Sequence, residues 1–160
     1  MRVAVVGGGA WGTALARLMA GNKHETRLWV YEPEVAAVIR ERRENPMYLP
    51  GVTLDPAILP TTDLAEALAG AELVLSVVPS HVVRSVMTEA ARYIEKDALL
   101  VTGTKGIEDE TLLTMSGVLA EVMPAEVGRR VVALSGPSFA GEVAAEVPTA
   151  VVAAAHDLRI

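Results

Sequence analysis

Three glycines near the start of the chain have the spacing of a turn that brings the backbone close to an anion. Gly7, Gly9 and Gly12 follow the pattern G-x-G-x-x-G. In such a turn the first glycine permits the bend, the second lets the backbone approach a pyrophosphate, and the third lets a helix pack closely on a strand. The N-terminus of that helix carries unpaired N–H groups and about half a positive charge. The pattern predicts a pyrophosphate site, although a purely structural turn has the same spacing.

The surroundings of the glycine pattern make this interpretation more specific. An apolar run precedes it at residues 3–6, and an apolar helical stretch follows at residues 13–16. Glu32 lies 20 residues beyond Gly12, after the next apolar run. A carboxylate at this place accepts hydrogen bonds from the adenosine ribose of a bound dinucleotide. Together these features predict a dinucleotide site formed by the glycine turn and Glu32.

Glu32 also bears on which nicotinamide dinucleotide binds. A carboxylate near the ribose 2′ position repels the 2′-phosphate of NADP, and no Arg stands at positions 30 to 33 to attract one. Arg27 and Lys23 are the cations close enough in sequence to bind such a phosphate instead. The sequence therefore favours NAD over NADP.

The elements that must position these residues alternate along the chain. Most apolar runs are continuous, which is typical of strands covered on both faces. Strands in alternation with helices predict a Rossmann-type, doubly wound α/β fold, a mostly parallel sheet with helices on both faces. The predicted strands are residues 2–6, 26–31, 73–77, 98–101, 130–134 and 149–153. The predicted helices are residues 11–20, 34–43, 64–68, 81–94, 112–122 and 139–145.

One segment breaks this alternation. Prolines at 46, 50, 56 and 60 exclude a continuous helix between residues 45 and 61, and predict a long loop there. Loops of that length in a compact domain are often functional. A chain of 160 residues suits one domain with a substantial core. We therefore expect residues 1–160 to form a single dinucleotide-binding domain.

Composition narrows the function further. The chain carries 14 basic and 20 acidic residues without a basic cluster, which argues against a nucleic-acid partner. It has no Cys, and its three His are too scattered for a metal motif. No apolar segment approaches the ~20 residues that span a bilayer, and no secretory signal opens the chain. We expect a cytoplasmic protein without a metal or membrane insertion.

Six motifs in the same order carry a resemblance to one known family. They include Gly-x-Gly-x-Trp-Gly at residues 7–12, Asn-Pro-x-Tyr-Leu-Pro-Gly at 45–51 and Val-Pro-Ser at 78–80. The others are Lys-Gly-Ile-Glu at 105–108, Ser-Gly-Pro-Ser-Phe-Ala at 135–140 and Pro-Thr-Ala at 148–150. The chain resembles the N-terminal domain of bacterial NAD(P)-dependent sn-glycerol-3-phosphate dehydrogenases. The resemblance implies hydride transfer between NAD(P) and sn-glycerol 3-phosphate or dihydroxyacetone phosphate, feeding glycerophospholipid synthesis.

The same resemblance implies roles for individual residues. Besides the glycines and Glu32, it implies cofactor contacts for Ala10, Trp11, Tyr31, Tyr48, Pro79 and Ala140. It implies contacts with both cofactor and substrate for Lys105, Gly136 and Ser138. Lys105 follows a predicted strand at the ligand-binding edge of the sheet, where a cation polarises the substrate oxygen as the hydride moves. Ser138 is expected to begin a helix, where its N–H and hydroxyl would hold an anion.

The resemblance also implies that something is missing from the chain. Family members carry a second, largely helical domain, which supplies the acid/base lysine, and this chain ends at Ile160 before any such segment. The isolated chain is therefore expected to bind the cofactor weakly and to be inactive. Its docking face is expected to expose apolar surface, which favours a homodimer or insolubility. Two alternatives stay open: a non-catalytic NAD-binding module, and a domain of a β-hydroxyacid or 6-phosphogluconate-type dehydrogenase.

Overall fold

A computed structural model describes residues 1–157 and contains one sheet with helices on both faces. The strands are β1 (Arg2–Val6), β2 (Glu25–Trp29), β3 (Ile58–Thr61), β4 (Leu73–Ser76), β5 (Leu99–Thr102), β6 (Val132–Ser135) and β7 (Val152–Ala155). Their order in the sheet is β3-β2-β1-β4-β5-β6-β7. All neighbouring pairs are parallel except β6 and β7. The predicted doubly wound, mostly parallel sheet is confirmed.

The helices form two layers that bury the two faces of the sheet. They are α1 (Ala10–Gly21), α2 (Pro33–Arg42), α3 (Leu64–Leu68), α4 (Val83–Ala90), α5 (Met115–Val122), α6 (Ala125–Gly128) and α7 (Ala140–Ala144). Side chains of β1 alternate between the layers because successive strand residues point to opposite faces. Val3 and Val5 pack with residues of α1 and α2, whereas Ala4 and Val6 pack with residues of α3, α4 and α5. Both faces of β1 are therefore buried, which explains the unbroken apolar run at residues 3–6.

Several predicted boundaries are wrong for identifiable reasons. The end of the proline-rich segment forms strand β3, which lies at the edge of the sheet, where the missing N–H of Pro60 is tolerated. Helix α5 begins at Met115 because Leu112 has a left-handed φ of 57° and Thr114 caps the helix, accepting from Gly117 N–H. Strand β2 ends at Trp29, two residues earlier than predicted. The short helix α6 is absent from the prediction.

The carboxyl ends of β1 and β4 lie where the winding of the sheet reverses. From β1 the chain adds β2 and β3 on one side, and it then returns to add β4, β5 and β6 on the other. Open α/β sheets bind ligands in the crevice at this switch point. Gly7 N–H donates to Trp29 O at 3.1 Å, and Val77 N–H donates to Val6 O at 2.9 Å. These bonds hold the segments that follow β1, β2 and β4 at one edge.

Within residues 1–157, none of the helices combines the length and the apolar character required to cross a lipid bilayer.

Candidate functional site

The glycine turn between β1 and α1 is so tightly packed that two of its positions accept only glycine. A Cβ on Gly12 would lie 1.8 Å from the carbonyl oxygen of Gly7. Gly7 has a φ of +128°, and its Cβ would lie 2.9 Å from the backbone of Val77. At Gly9, by contrast, no atom lies within 4 Å of the Cβ position. Gly7 and Gly12 thus join strand and helix, while Gly9 leaves the backbone open to a ligand.

Helix α1 directs its N-terminus at this opening. Gly9 is the N-cap residue, with an extended backbone, and no side chain caps the helix. The first turn carries no acidic residue. Because helix geometry leaves the first N–H groups without intrahelical partners, they remain available to an anion. These features fit the pyrophosphate of a dinucleotide.

A cavity of about 680 Å³ lies over the switch point, within the range of about 300–1,000 Å³ that ligand sites occupy. Eight of the predicted cofactor-binding residues line it: Gly7, Gly9, Ala10, Trp11, Tyr31, Glu32, Tyr48 and Pro79. Gly12 lies behind the turn, packed against Gly7. The described lining contains no Lys or Arg. The structure therefore brings most of the predicted cofactor-binding residues together.

The rest of the lining was not predicted as cofactor-binding. It consists of Gly8, Trp29, Val77, Val78, His81, Val82, Ser85 and Val86. Trp29 ends β2, and the segment 77–86 follows the carboxyl end of β4. Sequence analysis could have identified these residues from their position at or after the end of a parallel strand. Their residue types alone suggest packing.

Tyr48 and Glu32 meet at one end of the cavity. The Tyr48 hydroxyl donates to Glu32 Oε1 at 2.7 Å. This hydrogen bond, together with burial and the charges of Glu32 and Glu34, raises the pKa of Tyr48 above its ordinary value. Tyr31 is 76% exposed, and its ring lies edge-on to Trp29 with centroids 6.3 Å apart. The proline-rich loop thus reaches the acidic residue that follows β2.

Lys105 lies at a second opening on the same edge of the sheet. This cavity of about 450 Å³ is lined by residues at the ends of β5 and β6, including Lys105 and Gly136. Lys105 Nζ lies 3.2 Å from Ser138 O and 3.5 Å from Gly136 O. The Thr104 hydroxyl donates to Val78 O at 2.8 Å, which ties the loop after β5 to the segment after β4. The three residues predicted to meet the substrate are therefore neighbours.

Ser138 has a different local environment from the one predicted. Its N–H and its hydroxyl both donate to Gly136 O, at 2.9 and 3.4 Å. Helix α7 begins only at Ala140, with Phe139 as N-cap and no side-chain cap. The predicted placement of Ser138 at the helix start is wrong, because the chain first turns back onto Gly136, whose φ is +140°. Ala140 packs in the same small apolar cluster as Trp11, beside the larger cavity.

An ion pair fixes the loop that carries Lys105. Arg84 on α4 donates to both carboxylate oxygens of Glu108, each at 2.8 Å, and also reaches Glu121 at 2.9 Å. The hydrogen bonds from Arg84, followed by one from the Thr111 hydroxyl, lower the pKa of Glu108 to about 2. Bidentate pairs of this kind fix orientation as well as distance. The loop after β5 is thereby fastened to α4.

This ion pair should make stability depend on acid pH. Because folding lowers the pKa of Glu108 from 4.5 to about 2, its contribution is present above pH 4.5 and is lost as the pH falls towards 2. Arg84→Met should lower the thermal midpoint at pH 6, and the difference from the wild type should shrink towards pH 2. Arg92→Met, an exposed arginine just after α4, is the control. If the thermal midpoint of Arg84→Met stays below that of the wild type by the same amount from pH 6 to pH 2, the ion pair between Arg84 and Glu108 is not the source of the difference.

The described residues 1–157 contain no group of three or more His, Cys, Asp or Glu side chains placed to hold a metal ion.

A doubly wound sheet with a glycine turn at its switch point and an acidic residue after β2 defines a Rossmann-type dinucleotide-binding domain. The profile of the family described as NAD-dependent glycerol-3-phosphate dehydrogenase N-terminus matches residues 2–160. The chain belongs to this family, as its sequence motifs suggested.

Individual relatives agree with this assignment. A glycerol-3-phosphate dehydrogenase (NAD(P)+) of Citrifermentans bemidjiense is 51% identical over 154 residues, which cover 96% of this chain and 46% of the relative. One of Syntrophobacter fumaroxidans is 50% identical over 157 residues, 98% of this chain and 46% of the relative. The crystal structure of the Coxiella burnetii glycerol-3-phosphate dehydrogenase superposes with a TM-score of 0.86 at 34% identity, covering 99% of this chain and 47% of that one. The chain thus spans about half the length of these proteins.

Proposed function

We propose that this chain is the cofactor-binding half of an NAD(P)-dependent oxidoreductase that interconverts sn-glycerol 3-phosphate and dihydroxyacetone phosphate. The observation that carries the proposal is the open backbone at Gly9, where the N-terminus of α1 meets the 680 Å³ cavity at the switch point. Membership of the family supports the substrate. The alternatives of a β-hydroxyacid or 6-phosphogluconate-type dehydrogenase are not favoured, since the matching relatives are named glycerol-3-phosphate dehydrogenases.

The residues that surround the cavity fit a dinucleotide in a definite order. The N–H groups at the start of α1 bind the pyrophosphate, and Gly9 allows its approach. Glu32 accepts hydrogen bonds from the adenosine ribose, with Tyr31 and Tyr48 beside it. Pro79 borders the nicotinamide, which supplies or accepts the hydride when the cofactor is bound. The hydrogen bonds from Gly7 N–H to Trp29 O and from the Tyr48 hydroxyl to Glu32 hold two parts of this site in place.

Lys105 acts on the substrate in this proposal. A lysine ammonium has three N–H donors, and two of them face Gly136 O and Ser138 O. The third is free to donate to a substrate oxygen, where a positive charge stabilises the negative charge that develops during hydride transfer. Proton transfer is assigned to the second half of the relatives. The proposal therefore includes weak binding and little turnover by the isolated chain.

The preference for NAD over NADP is part of the proposal. Glu32 is the charged group at the ribose end, and no Lys or Arg belongs to the described lining of the cavity. Arg27 Nη1 donates to Glu66 O at 2.6 Å, and Lys23 precedes the amino end of β2, opposite the cavity. Neither cation is placed to bind a 2′-phosphate. We propose NAD as the cofactor for this reason.

Glu32→Ala tests the cofactor and its preference together. We expect NADH binding to weaken about tenfold or more, because a charged hydrogen-bond acceptor contributes about 1.5–3 kcal/mol. NADPH binding should be unchanged or tighter, since a repulsive charge is removed. Both titrations are done by calorimetry, with circular dichroism to establish folding. Glu34→Ala is the matched control, because Glu34 is an exposed acid in the first turn of α2 that does not line the cavity.

The outcomes of this titration separate the proposals. An unchanged ratio of NADH to NADPH affinity in Glu32→Ala would remove the basis for the NAD preference. A folded wild-type chain that binds neither nucleotide would contradict the cofactor-binding role of the isolated chain. Binding without turnover, after the chain is joined to the second half of a relative, would favour a non-catalytic NAD-binding module.

The remaining parts of the proposal concern partners and location. The sheet ends in β7, where Val152 is 65% exposed, and Phe139 before α7 is 67% exposed. We propose that the second half of the relatives covers this surface, and that the chain without it forms a homodimer. The phosphorylated substrate and the dinucleotide are metabolites retained inside cells, so we place the activity in the cytoplasm.

A further inference from the structure

Asn45 is completely buried, although it begins the proline-rich loop. Its Nδ2 donates to Gly8 O at 2.9 Å and to Thr13 Oγ1 at 2.8 Å. Its Oδ1 accepts from Tyr48 N–H at 3.3 Å. Thr13 Oγ1 in turn donates to Gly8 O at 3.3 Å. Both polar ends of the Asn45 side chain are therefore used, one towards the glycine turn and the other towards Tyr48.

The Gly8 carbonyl is the point at which this network touches the glycine turn. The peptide bond between Gly8 and Gly9 is trans and planar. Fixing the carbonyl oxygen of Gly8 therefore also fixes the N–H of Gly9, which points in the opposite direction, away from Asn45. Glycine has more backbone freedom than any other residue. The glycine turn cannot fix its own backbone orientation. The hydrogen bonds from Asn45 and Thr13 to Gly8 O supply this restraint.

We propose that Asn45 is a positioning residue that pre-organises both ends of the dinucleotide site. Its Nδ2 orients the Gly9 N–H for the pyrophosphate, and its Oδ1 holds the backbone of Tyr48, whose hydroxyl meets Glu32 at the ribose end. Asn45 does not line the cavity, so it acts through these neighbours. The inference rests on the proposed function, because it concerns the same cofactor.

The loop has anchors that do not depend on the Asn45 side chain. Leu49 N–H donates to the main-chain oxygen of Asn45 at 2.8 Å. The Leu49 side chain packs in a small cluster with Ala14 and Ala144. Gly51 N–H donates to the Glu44 carboxylate at 2.8 Å. Substitution of Asn45 therefore removes the orientation of the turn while these contacts keep the loop in place.

Asn45→Ala should weaken binding of both NADH and ADP-ribose about tenfold, since pre-organisation lowers the cost of binding. Thr13→Val, which keeps the volume of the side chain and removes its hydroxyl, should weaken both about threefold. Asn22→Ala is the matched control, because Asn22 is an exposed asparagine after α1 whose Nδ2 donates to Leu18 O. Binding is measured by calorimetry on the 160-residue chain, and folding by thermal unfolding.

Asn45→Asp gives a signature that a structural role alone would not produce. The carboxyl keeps the acceptor for Tyr48 N–H, but only its protonated form can donate to Gly8 O. Burial raises the pKa of such a carboxyl, so ADP-ribose binding by this variant should strengthen as the pH falls from 8 to 5. Glu32, Tyr48 and His81 also line the cavity, so the pH profile of the wild type is the reference.

The binding experiments on the Asn45 and Thr13 variants test whether Asn45 positions the dinucleotide site. Equal binding by the wild type and a folded Asn45→Ala would overturn it and leave the proposed function intact. If Asn45→Ala does not fold, a wild-type affinity in Thr13→Val and a wild-type pH profile in Asn45→Asp would overturn it equally. A wild-type chain that binds neither NADH nor ADP-ribose would overturn the proposed function, and the inference with it.

Discussion

Replacing Gly9 with alanine should leave the domain folded and weaken dinucleotide binding about a hundredfold, whereas the same change at Gly12 should destabilise the domain strongly. The two glycines belong to one turn, but their surroundings are opposite. A Cβ on Gly12 would lie 1.8 Å from Gly7 O, which is backbone and cannot move aside. Overpacking of this kind costs about 1–3 kcal/mol or more, a large fraction of the 5–15 kcal/mol that stabilises a typical domain.

Gly9 has the opposite environment, which makes its substitution specific to binding. Nothing lies within 4 Å of its Cβ position, and its φ of −69° suits alanine. The loss of glycine at an N-cap costs at most about 1 kcal/mol. The added methyl group would occupy the space through which a pyrophosphate approaches the backbone. A hundredfold loss of affinity corresponds to about 2.7 kcal/mol.

Thermal unfolding followed by circular dichroism, and NADH titration by calorimetry, separate these two effects. Gly21→Ala is the control, because Gly21 also has no atom within 4 Å of its Cβ position but does not line the dinucleotide cavity. It lies at the end of α1, where alanine should be neutral or stabilising by up to about 1 kcal/mol. Wild-type affinity in Gly9→Ala would mean that no ligand approaches the backbone at this glycine.

The sequence predicted those parts of the fold that are determined by residues close together along the chain. The run at residues 3–6 that became β1 is continuously apolar because both faces of the strand are covered. The glycine turn was recognisable because close packing restricts Gly7 and Gly12 to one residue type. Strand β3 was missed because Pro60 is permitted there only by its position at the sheet edge. Edge position is a property of the assembled sheet, which local sequence does not contain.

The candidate site also has residues that the local sequence predicts and residues whose contacts it does not predict. Glu32 was predicted from its distance along the chain to the glycine turn, and the structure places it on the cavity wall. Asn45 was part of a recognised motif, but its role depends on a contact with Gly8 across 37 residues of chain. Ser138 was expected at a helix start because it follows a proline, and the turn onto Gly136 O came instead. The Asn45 contact joins residues far apart in sequence, whereas the Ser138 turn is local and depends on the positive φ of Gly136.

Lys105→Met should reduce kcat/KM about a hundredfold to a thousandfold in an active enzyme, made by joining this chain to the second half of a relative. Removing one preorganised donor from a developing negative charge has an effect of this size. Lys105 is exposed, and among the residues that the structure describes its ammonium meets the main-chain oxygens of Gly136 and Ser138. Its loss should therefore leave the thermal midpoint within a few degrees, and NADH binding within about threefold.

Two further variants decide whether the ammonium itself is responsible. Lys96→Met, an exposed lysine in the turn before β5, should keep full activity. Lys105→Arg should recover little, because a planar guanidinium cannot direct one N–H at the substrate while two others face the carbonyls as a compact ammonium does. Activity of Lys105→Met equal to that of Lys96→Met would make Lys105 a solvated surface residue. A rise in KM with unchanged kcat would instead assign Lys105 to substrate binding alone, because a group acting on the developing charge must change kcat.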